Sequence, residues 1–533
     1  TTWRWREKRT SSAQTWQRAS GRTRFAQHFS MPTEVELKLS ATPAAWAAVR
    51  VHRALTEANP GRARSTMIVS RYYDTPAHEL HRHGIALRLR RRGTRWLQTV
   101  KSAGDAAAGM HRRAEYEWPL SRASLDPAKL AETPWAELFA KASGQLAAVF
   151  TTEVKRTDRA LKFGDGTRAT LSYDQGVVRA GRKRAPLCEI EIELVEGDAR
   201  RLYELALALC ADIPLTLAHA SKADQGYALA RSRPAEPLRA GRVVLPPDIA
   251  APHALAATAA DCLGQMGGNA EAMRAGRDGE FLHQLRVGVR RMRSLLKLAS
   301  GLQSAAAIAS LDVGLVGLSE VLGPARDWDV LADTLAEIAS NLDGDERRGF
   351  HRLRLRAAAK RRFHRAAAQS EAGSQRFTCS LLALGQFRIE LELAAAGPPA
   401  TAFARDALDK AERRLRKRGK RLGEADAAGR HKVRIAAKKL RYAAEFLASL
   451  FRHGGAKDYI DALSGLQSAL GHLNDMIAAT RLIDELLAAA RNDTELSRAA
   501  GIVRGWTAAM SARELERLPK SWRQFAKAKP FWN

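Results

Sequence analysis

Cysteine is scarce: Cys188, Cys210, Cys262 and Cys379 stand far apart in 533 residues, with no CxxC spacing. That spacing excludes a zinc knuckle and a disulfide framework, and it fits a reducing compartment such as the cytoplasm. Acidic residues are also in deficit, with 57 Asp+Glu against 87 Lys+Arg leaving a formal charge of +30. A surface of that sign calls for a polyanionic partner, among which nucleic acid, inorganic polyphosphate and acidic lipid headgroups all qualify. No run of about 18 consecutive apolar residues is present, so no membrane partner is expected. Recognition patterns for specific nucleic-acid binding are absent as well. Aromatics make up 6% of the chain and form no evident cluster near the strand-like segments.

What is present divides the chain in two. From Pro32 to about Leu194, short alternating segments separated by turn residues predict eight strands, at 32–40, 66–73, 85–92, 95–102, 111–119, 149–157, 167–174 and 187–195. Helical spacing interrupts them at 43–57, 134–143 and 198–210. A proline-rich stretch follows at 233–250, after which Ala/Leu/Arg-rich helical periodicity runs to about residue 530. Residues 1–30 are rich in Arg, Ser and Thr and are expected to be an unstructured basic extension ahead of Met31. The fold class expected is therefore α+β multidomain: a closed antiparallel eight-stranded β-barrel with covering helices at 31–232, then an all-α unit at 251–530.

Strand side chains alternate, so Glu34, Glu36 and Lys38 share one face and Val35, Leu37 and Leu39 the other. One such strand is ordinarily a solvated outer face. Repetition changes that reading: Arg88, Arg90 and Arg92 alternate with Leu87 and Leu89, Arg113, Glu115 and Glu117 with Tyr116 and Trp118, and Glu189, Glu191 and Glu193 with Ile190, Ile192 and Leu194. Lys101, Arg156 and Asp174 add charges from other strands. In a closed barrel these faces can all point inward, making a tunnel lined by acids and bases. Packed carboxylates repel one another unless a cation sits among them, and oxygen-only ligands favour Mg²⁺ or Mn²⁺. Guanidinium and ammonium groups opposite would clamp a compact polyphosphate such as triphosphate.

Taken in order, ExExK at Glu34–Lys38, YYDT at Tyr72–Thr75, LRLR at Leu87–Arg90, TVK at Thr99–Lys101, ExE at Glu115–Glu117, EIEIEL at Glu189–Leu194 and the pair Ser221-Lys222 with Gly226-Tyr227 resemble the CYTH, or triphosphate tunnel metalloenzyme, superfamily. The resemblance implies a metal-dependent hydrolase of inorganic triphosphate. It implies that Glu34, Glu36, Glu189, Glu191 and Glu193 hold metal and that Lys38, Arg88, Arg90, Lys101, Arg156 and Lys222 hold phosphate. Glu115 and Glu117 would position water or add ligands, joining Glu34, Glu36 and Lys38 as catalytic residues. The superfamily also contains thiamine triphosphatases, ATP-hydrolysing members and adenylate cyclases, which remain alternatives for this barrel.

The second half contains a repeat. His283-x-x-Arg286-Val-x-x-Arg290-Arg291-x-Arg293 returns 148 residues on (283 to 431) as His431-x-x-Arg434-Ile-x-x-Lys438-Lys439-x-Arg441. Leu322-Gly323-x-x-Arg326-Asp327 returns at the same offset (322 to 470) as Leu470-Gly471-x-x-Asn474-Asp475. The all-α unit is thus a duplicated helical bundle, with repeats at about 251–396 and 402–530. On a helix the His, Arg and Lys positions make one cationic stripe per repeat, beside an apolar stripe of Leu285, Val289, Met292 and Leu296. This pattern resembles the CHAD domain, which implies inorganic polyphosphate as a partner, held by His283, Arg286, Arg290, Arg293, His431, Arg434, Lys438 and Arg441. Asp327, Asp329 and Asp475 are expected to orient arginines and no catalysis is assigned here. A non-enzymatic protein of polyphosphate granules is the reading from another class; the full acid set in the barrel argues against it, since pure phosphate binding would favour bases alone.

Overall fold

The computed structural model describes residues 33–231, 236–276, 278–343, 346–451, 454–488 and 493–533. The expected basic extension at 1–30 lies outside the described residues. In chain order the first half contains β1 (Thr33–Ser40), α1 (Pro43–Val49), α2 (Arg53–Glu57), β2 (Arg64–Asp74), α3 (Glu79–Arg82), β3 (Ile85–Arg92), β4 (Arg95–Ser102), β5 (Asp105–Ala107), β6 (Met110–Leu120), α4 (Pro127–Ala131), α5 (Ala136–Ala142), β7 (Ala147–Lys162), β8 (Arg168–Ala180), β9 (Lys183–Glu196), α6 (Arg200–Asp212), β10 (Thr216–Leu217) and α7 (Lys222–Arg231). The second half contains α8 (Ala251–Ala275), α9 (Gly279–Ala299), α10 (Ala305–Ala339), α11 (Glu346–Ala372), α12 (Gln375–Glu392), α13 (Ala400–Gly419), α14 (Ala427–Leu447), α15 (Ala456–Ala488) and α16 (Thr494–Lys527).

Eight strands close a barrel in the order β1-β9-β8-β7-β2-β3-β4-β6, each antiparallel to its neighbours, and β6 returns to β1 with Glu34 opposite Arg113. These are the eight segments that alternation predicts, although β7, β8 and β9 run several residues longer. Gly93 sits at φ 63° in the two-residue turn between β3 and β4, a left-handed position that glycine takes without strain. The short β5 and β10 lie outside the alternation signal and extend the sheet beyond the ring. The predicted helix at 43–57 is two helices, because the His52 ring accepts a hydrogen bond from Ala54 N and starts α2 afresh.

The barrel is inverted relative to a filled one. Leu37, Leu39, Ile190 and Ile192 face outward and are fully buried, because α1, α6 and the helical half cover them. One apolar core therefore runs from the outer barrel face through α6 into α8, α9 and α12. The two halves meet closely at α12, where Arg388 reaches Asp105 at 3.0 Å, Arg112 pairs with Glu392, and Gly385 lies flat against the Tyr203 ring of α6.

In the helical half the duplication is visible in the elements. The starts of α9 and α14 (279 and 427) differ by 148 residues, as do those of α11 and α16 (346 and 494), and both α9 and α14 are capped by an aspartate, Asp278 or Asp426. Leu285, Val289, Met292 and Leu296 are buried, as their spacing requires. Although no unbroken apolar run occurs in the sequence, α10 does have the length and mean apolarity of a membrane-crossing helix. Inside this fold it carries Asp312, paired with Arg293 at 2.7 Å, and it buries Leu315, Leu318 and Leu322 in the shared core.

Gly385 tests the joint between the halves. A methyl group there would stand 2.5 Å from Tyr203 Cε1, so Gly385→Ala is expected to lower stability by about 1–3 kcal/mol through overpacking. Urea unfolding followed by tryptophan fluorescence reads this as a lower midpoint; an unchanged midpoint would mean that α12 and α6 are not held in contact.

Candidate active site

The inward faces of the barrel strands line one cavity of about 640 Å³. Glu34, Glu36 and Lys38 enter it from β1, Arg88 and Arg90 from β3, Lys101 from β4, Glu115 and Glu117 from β6, Arg156 from β7, Glu191 and Glu193 from β9, and Lys222 from α7. Glu189 is not among its lining residues, although the sequence pattern put it with them.

Register explains the difference. Across β1 and β9, Glu36 stands opposite Glu193 and Lys38 opposite Glu191, whereas Glu189 is drawn to Asp174 across β8. The five acids expected to share a metal are thus divided into two groups. Asp174, Glu189 and Glu191 form one, with ligand oxygens all within 4.8 Å of one another. Three cations hold it: Lys222 is 2.8 Å from both Asp174 and Glu191 and also bonds Glu189, Lys38 is 2.7 Å from Glu191, and Arg156 grips Asp174 at 2.6 and 2.7 Å while also touching Glu191. Burial alone would raise these acids, yet Lys222 and Lys38 pull Glu191 well below the usual carboxylate range.

The second group is Glu34, Glu36 and Glu193. Arg113 bonds both Glu34 and Glu36, and Lys101 meets Glu34 at 2.7 Å. Burial tends to raise Glu34, but Lys101 and Arg113 outweigh it and keep the carboxylate ionised. Glu193 has no such partner among the described residues. Burial, then the charges of Glu34 and Glu36, push it up to about 7. Glu193 faces Glu36 across the strand pair, while the acids whose oxygens all come within 4.8 Å of one another are Asp174, Glu189 and Glu191; this oxygen-only lining fits a hard divalent cation.

Bases dominate along β3. Arg88 is buried with loose contacts, 3.5 Å to the Tyr72 hydroxyl and 3.4 Å to Glu115, and Arg90 reaches Glu117 at 3.8 Å. The Nε atoms of both arginines are buried without a hydrogen-bond partner among the described residues. Burial, reinforced by Arg88 and Arg156, lowers Arg90 to about 10. Two under-satisfied guanidinium groups in a cavity are donors awaiting an anion.

Three participants escape the sequence reading. Asp174 appears there as a lone charge, and Arg113 as part of an alternating face without a role. Tyr72 belongs to the quoted YYDT run, but its place in the cavity depends on β2 standing beside β3. Despite burial, the neighbouring Arg88 lowers the Tyr72 hydroxyl from its ordinary value. The Asp74 of that run is a structural knot: its carboxylate accepts from Thr75 N, Leu80 N, His81 N and the Tyr227 hydroxyl at 2.7–3.0 Å. Tyr227 and Gly226, the latter against Phe150, fasten α7 and so place Lys222. An aromatic cluster is also present after all: Tyr116 lies 6.0 Å from Trp118 and 5.9 Å from Trp135 between ring centroids. It was not evident because Trp135 is distant from β6 in sequence. Tyr116 and Trp118 border a second cavity of about 500 Å³ shared with Glu34, Glu115, Glu117 and Glu193.

In the helical half the two stripes meet. Arg286 and Arg290 of α9 stand with Arg434 and Lys438 of α14, and their mutual field is strong: burial, then Arg290, Arg434 and Arg286, bring Lys438 down to about 6. Burial and Arg290 likewise bring Arg286 to about 10. His283 joins the edge, lowered to about 4 by burial and Arg326. Gly323 O accepts from Arg286 at 3.1 Å and Asp327 lies 3.7 Å from it, while buried Asp329 pairs with Arg361 and Arg365. Arg293 and Arg441 do not join the cluster. They occupy equivalent positions and are tied to Asp312 and Glu445 instead. His431 is exposed at the start of α14.

Comparison with known proteins agrees with this division. The CYTH domain family matches residues 32–227 and the CHAD domain family residues 257–484. An inorganic triphosphatase of Haemophilus influenzae is 29% identical over 201 residues, 37% of this chain and 55% of that protein. The chain thus spans about half the length of that relative. An uncharacterized protein of Mycobacterium tuberculosis is 29% identical over 450 residues, covering 78% of this chain and 82% of its own. The crystal structure of the CHAD domain from the plant Ricinus communis shares 33% identity, covering 55% of this chain and 98% of its own, at a TM-score of 0.49. The chain joins a CYTH domain, built as a closed tunnel barrel, to a CHAD domain.

Proposed function

We propose that the barrel hydrolyses inorganic triphosphate to diphosphate and phosphate with Mg²⁺ or Mn²⁺, and that the helical half holds inorganic polyphosphate. The observation that carries the first reading is the pair of opposite surpluses in one cavity: Glu193 has no cation partner among the described residues, and Arg88 and Arg90 meet Glu115 and Glu117 only loosely, at 3.4 and 3.8 Å, with their Nε atoms unpartnered. A metal–triphosphate complex would satisfy both at once. Arg88 and Arg90 bind the phosphate chain from β3, and Arg156, Lys38 and Lys222 exchange part of their carboxylate contacts for phosphate oxygens. Glu34, Glu36 and Glu193 hold the metal, which supplies Lewis acidity and neutralises charge on the phosphates. Glu115 and Glu117, beside the bases at the same mouth, orient the attacking water in line with the leaving oxygen. Charge that moves onto the diphosphate is then met by fixed guanidinium groups, without the reorganisation that water would need.

A second reading has its own observation. Tyr116 and Trp118 beside the second cavity offer a face on which a thiazole or purine ring could stack, which supports an organic triphosphate as substrate. For the helical half, Arg286, Arg290, Arg434 and Lys438 stand with few acids near them, a surface suited to a row of phosphates.

Phosphate release from inorganic triphosphate, ATP and thiamine triphosphate separates the barrel readings. Glu34→Gln/Glu36→Gln is expected to cut metal-dependent turnover of triphosphate by roughly 10²-fold or more. No turnover of any substrate by the unaltered protein would sink the enzyme reading. Trp118→Ala is expected to leave inorganic triphosphate turnover within about threefold, while weakening ATP or thiamine triphosphate by about 1 kcal/mol if the rings stack there.

Lys438 gives the helical half a pH signature. Its ammonium form is disfavoured above about pH 6 by burial and three arginines, with Asp475 opposing them. A bound polyanion reverses that field and raises the value, so polyphosphate binding at pH 8 takes up a proton and binding is tighter at pH 6 than at pH 8. Calorimetry in two buffers of different ionisation enthalpy measures the uptake, which Lys438→Met should abolish; equal uptake in the variant would locate the proton elsewhere.

A further inference from the structure

Lys222 opens α7, and the chain reaches it from β10 through the turn Ala218-His219-Ala220-Ser221. The barrel alone does not hold that turn. Glu271 of α8, in the helical half, accepts at one carboxylate oxygen from both His219 N (2.7 Å) and Ala220 N (3.2 Å). Around Glu271 the helix presents small residues to the barrel. A methyl group on Gly264 would stand 3.3 Å from Ala106 O, one on Gly267 3.4 Å from His219 Nδ1, and one on Gly268 3.1 Å from His219 Nε2. Asn269, on the same stretch, bonds both the N–H and the carbonyl of Leu238 at 3.1 and 2.7 Å. Ala106, His219 and Leu238 all line the tunnel, so one of its walls is backed by a helix of the other domain.

We propose that Glu271 is a positioning residue for the tunnel, acting through the His219–Ala220 backbone to fix Lys222; this rests on the reading of the cavity as a triphosphate site. α7 is held at its middle by Tyr227 on Asp74; at its near end Ser221 bonds Asp224 and the barrel holds Ala218 through Lys38 O, and Glu271 adds the hold on the two amides between them. The tolerance is small, because the Lys222 ammonium must stay within reach of Asp174, Glu189 and Glu191 together. Turning the two amides loose lets the first turn of α7 shift, and a shift there moves the ammonium out of register with the phosphates. The helical half thereby completes a phosphate clamp belonging to the barrel.

A double-mutant cycle in the full chain tests this, reading kcat and KM for inorganic triphosphate with Mg²⁺ and triphosphate affinity by calorimetry. Glu271→Ala is expected to raise KM and Kd about five- to twentyfold with kcat changed less than about threefold. Glu271→Gln, which keeps an acceptor oxygen, should return both to within about threefold of the unaltered protein. Added to Lys222→Ala, Glu271→Ala should have no further effect, because both act on one ammonium. Should Glu271→Ala fail to fold, Glu271→Asp, which withdraws the oxygen by one methylene, enters the cycle in its place. Multiplicative effects of the two substitutions, or an unchanged KM in Glu271→Ala, would overturn the assignment. If the unaltered protein binds triphosphate without hydrolysing it, the reaction assigned to the barrel fails and the cycle is decided on Kd; if it does neither, both readings fall.

Discussion

Charge balance inside the barrel is the constraint on which the rest of the structure depends. Carboxylates and guanidinium groups on several strands point into one lumen, and each would be costly to bury unpaired. Closure of β6 onto β1 brings Arg113 across to Glu34 and Glu36, and α7 brings Lys222 to the acids of β8 and β9. With the charges turned inward, the outer face is apolar and must be covered. That requirement is what places α1, α6 and the helical half where they are, and why one core crosses both domains.

Much of this was legible in the sequence because alternation has a period of two and each charged strand repeats the same pattern. The eight ring strands and the inward faces follow from that period. Which acids meet does not, since it depends on register between strands that are remote in sequence. Glu189 opposite Asp174 and Glu36 opposite Glu193 are consequences of how β9 is flanked, and no spacing within EIEIEL distinguishes them. Tyr72 and the Tyr116–Trp118–Trp135 cluster were hidden for the same reason. In the helical half, the 148-residue offset announced the duplication, but not that Arg293 and Arg441 would be diverted to local acids while Arg286, Arg290, Arg434 and Lys438 converge. Helical spacing places residues on a stripe; it does not say which neighbour the end of a long side chain will choose.

The joint between the domains was also beyond reach. α12 stands between the two sets of helices that repeat at 148 residues, and its contacts with α6 and β5 depend on Gly385 yielding room for Tyr203 and on Arg388 reaching Asp105. Neither residue belongs to any motif. Small residues at close approaches and single ion pairs across an interface carry little signal in one sequence, although they fix how two large units sit.

The two cationic sites differ in a way that bears on chemistry. In the tunnel nearly every base already has an acid: Lys38, Lys101, Arg113, Arg156 and Lys222 are all paired, and Arg88 and Arg90 retain weak contacts. An anion entering alone would have to break those pairs and leave carboxylates stranded, whereas an anion arriving with a divalent cation replaces both partners together. Among the described residues the helical cluster has no comparable acid complement, since Asp327 stands 3.7 Å from Arg286 and Asp475 makes no close ion pair with Arg434. On the reading proposed above, a polyanion there would relieve repulsion directly, without an accompanying metal. The same excess of positive charge is therefore set among paired acids in one half and nearly without them in the other, and the difference lies in where the carboxylates were placed.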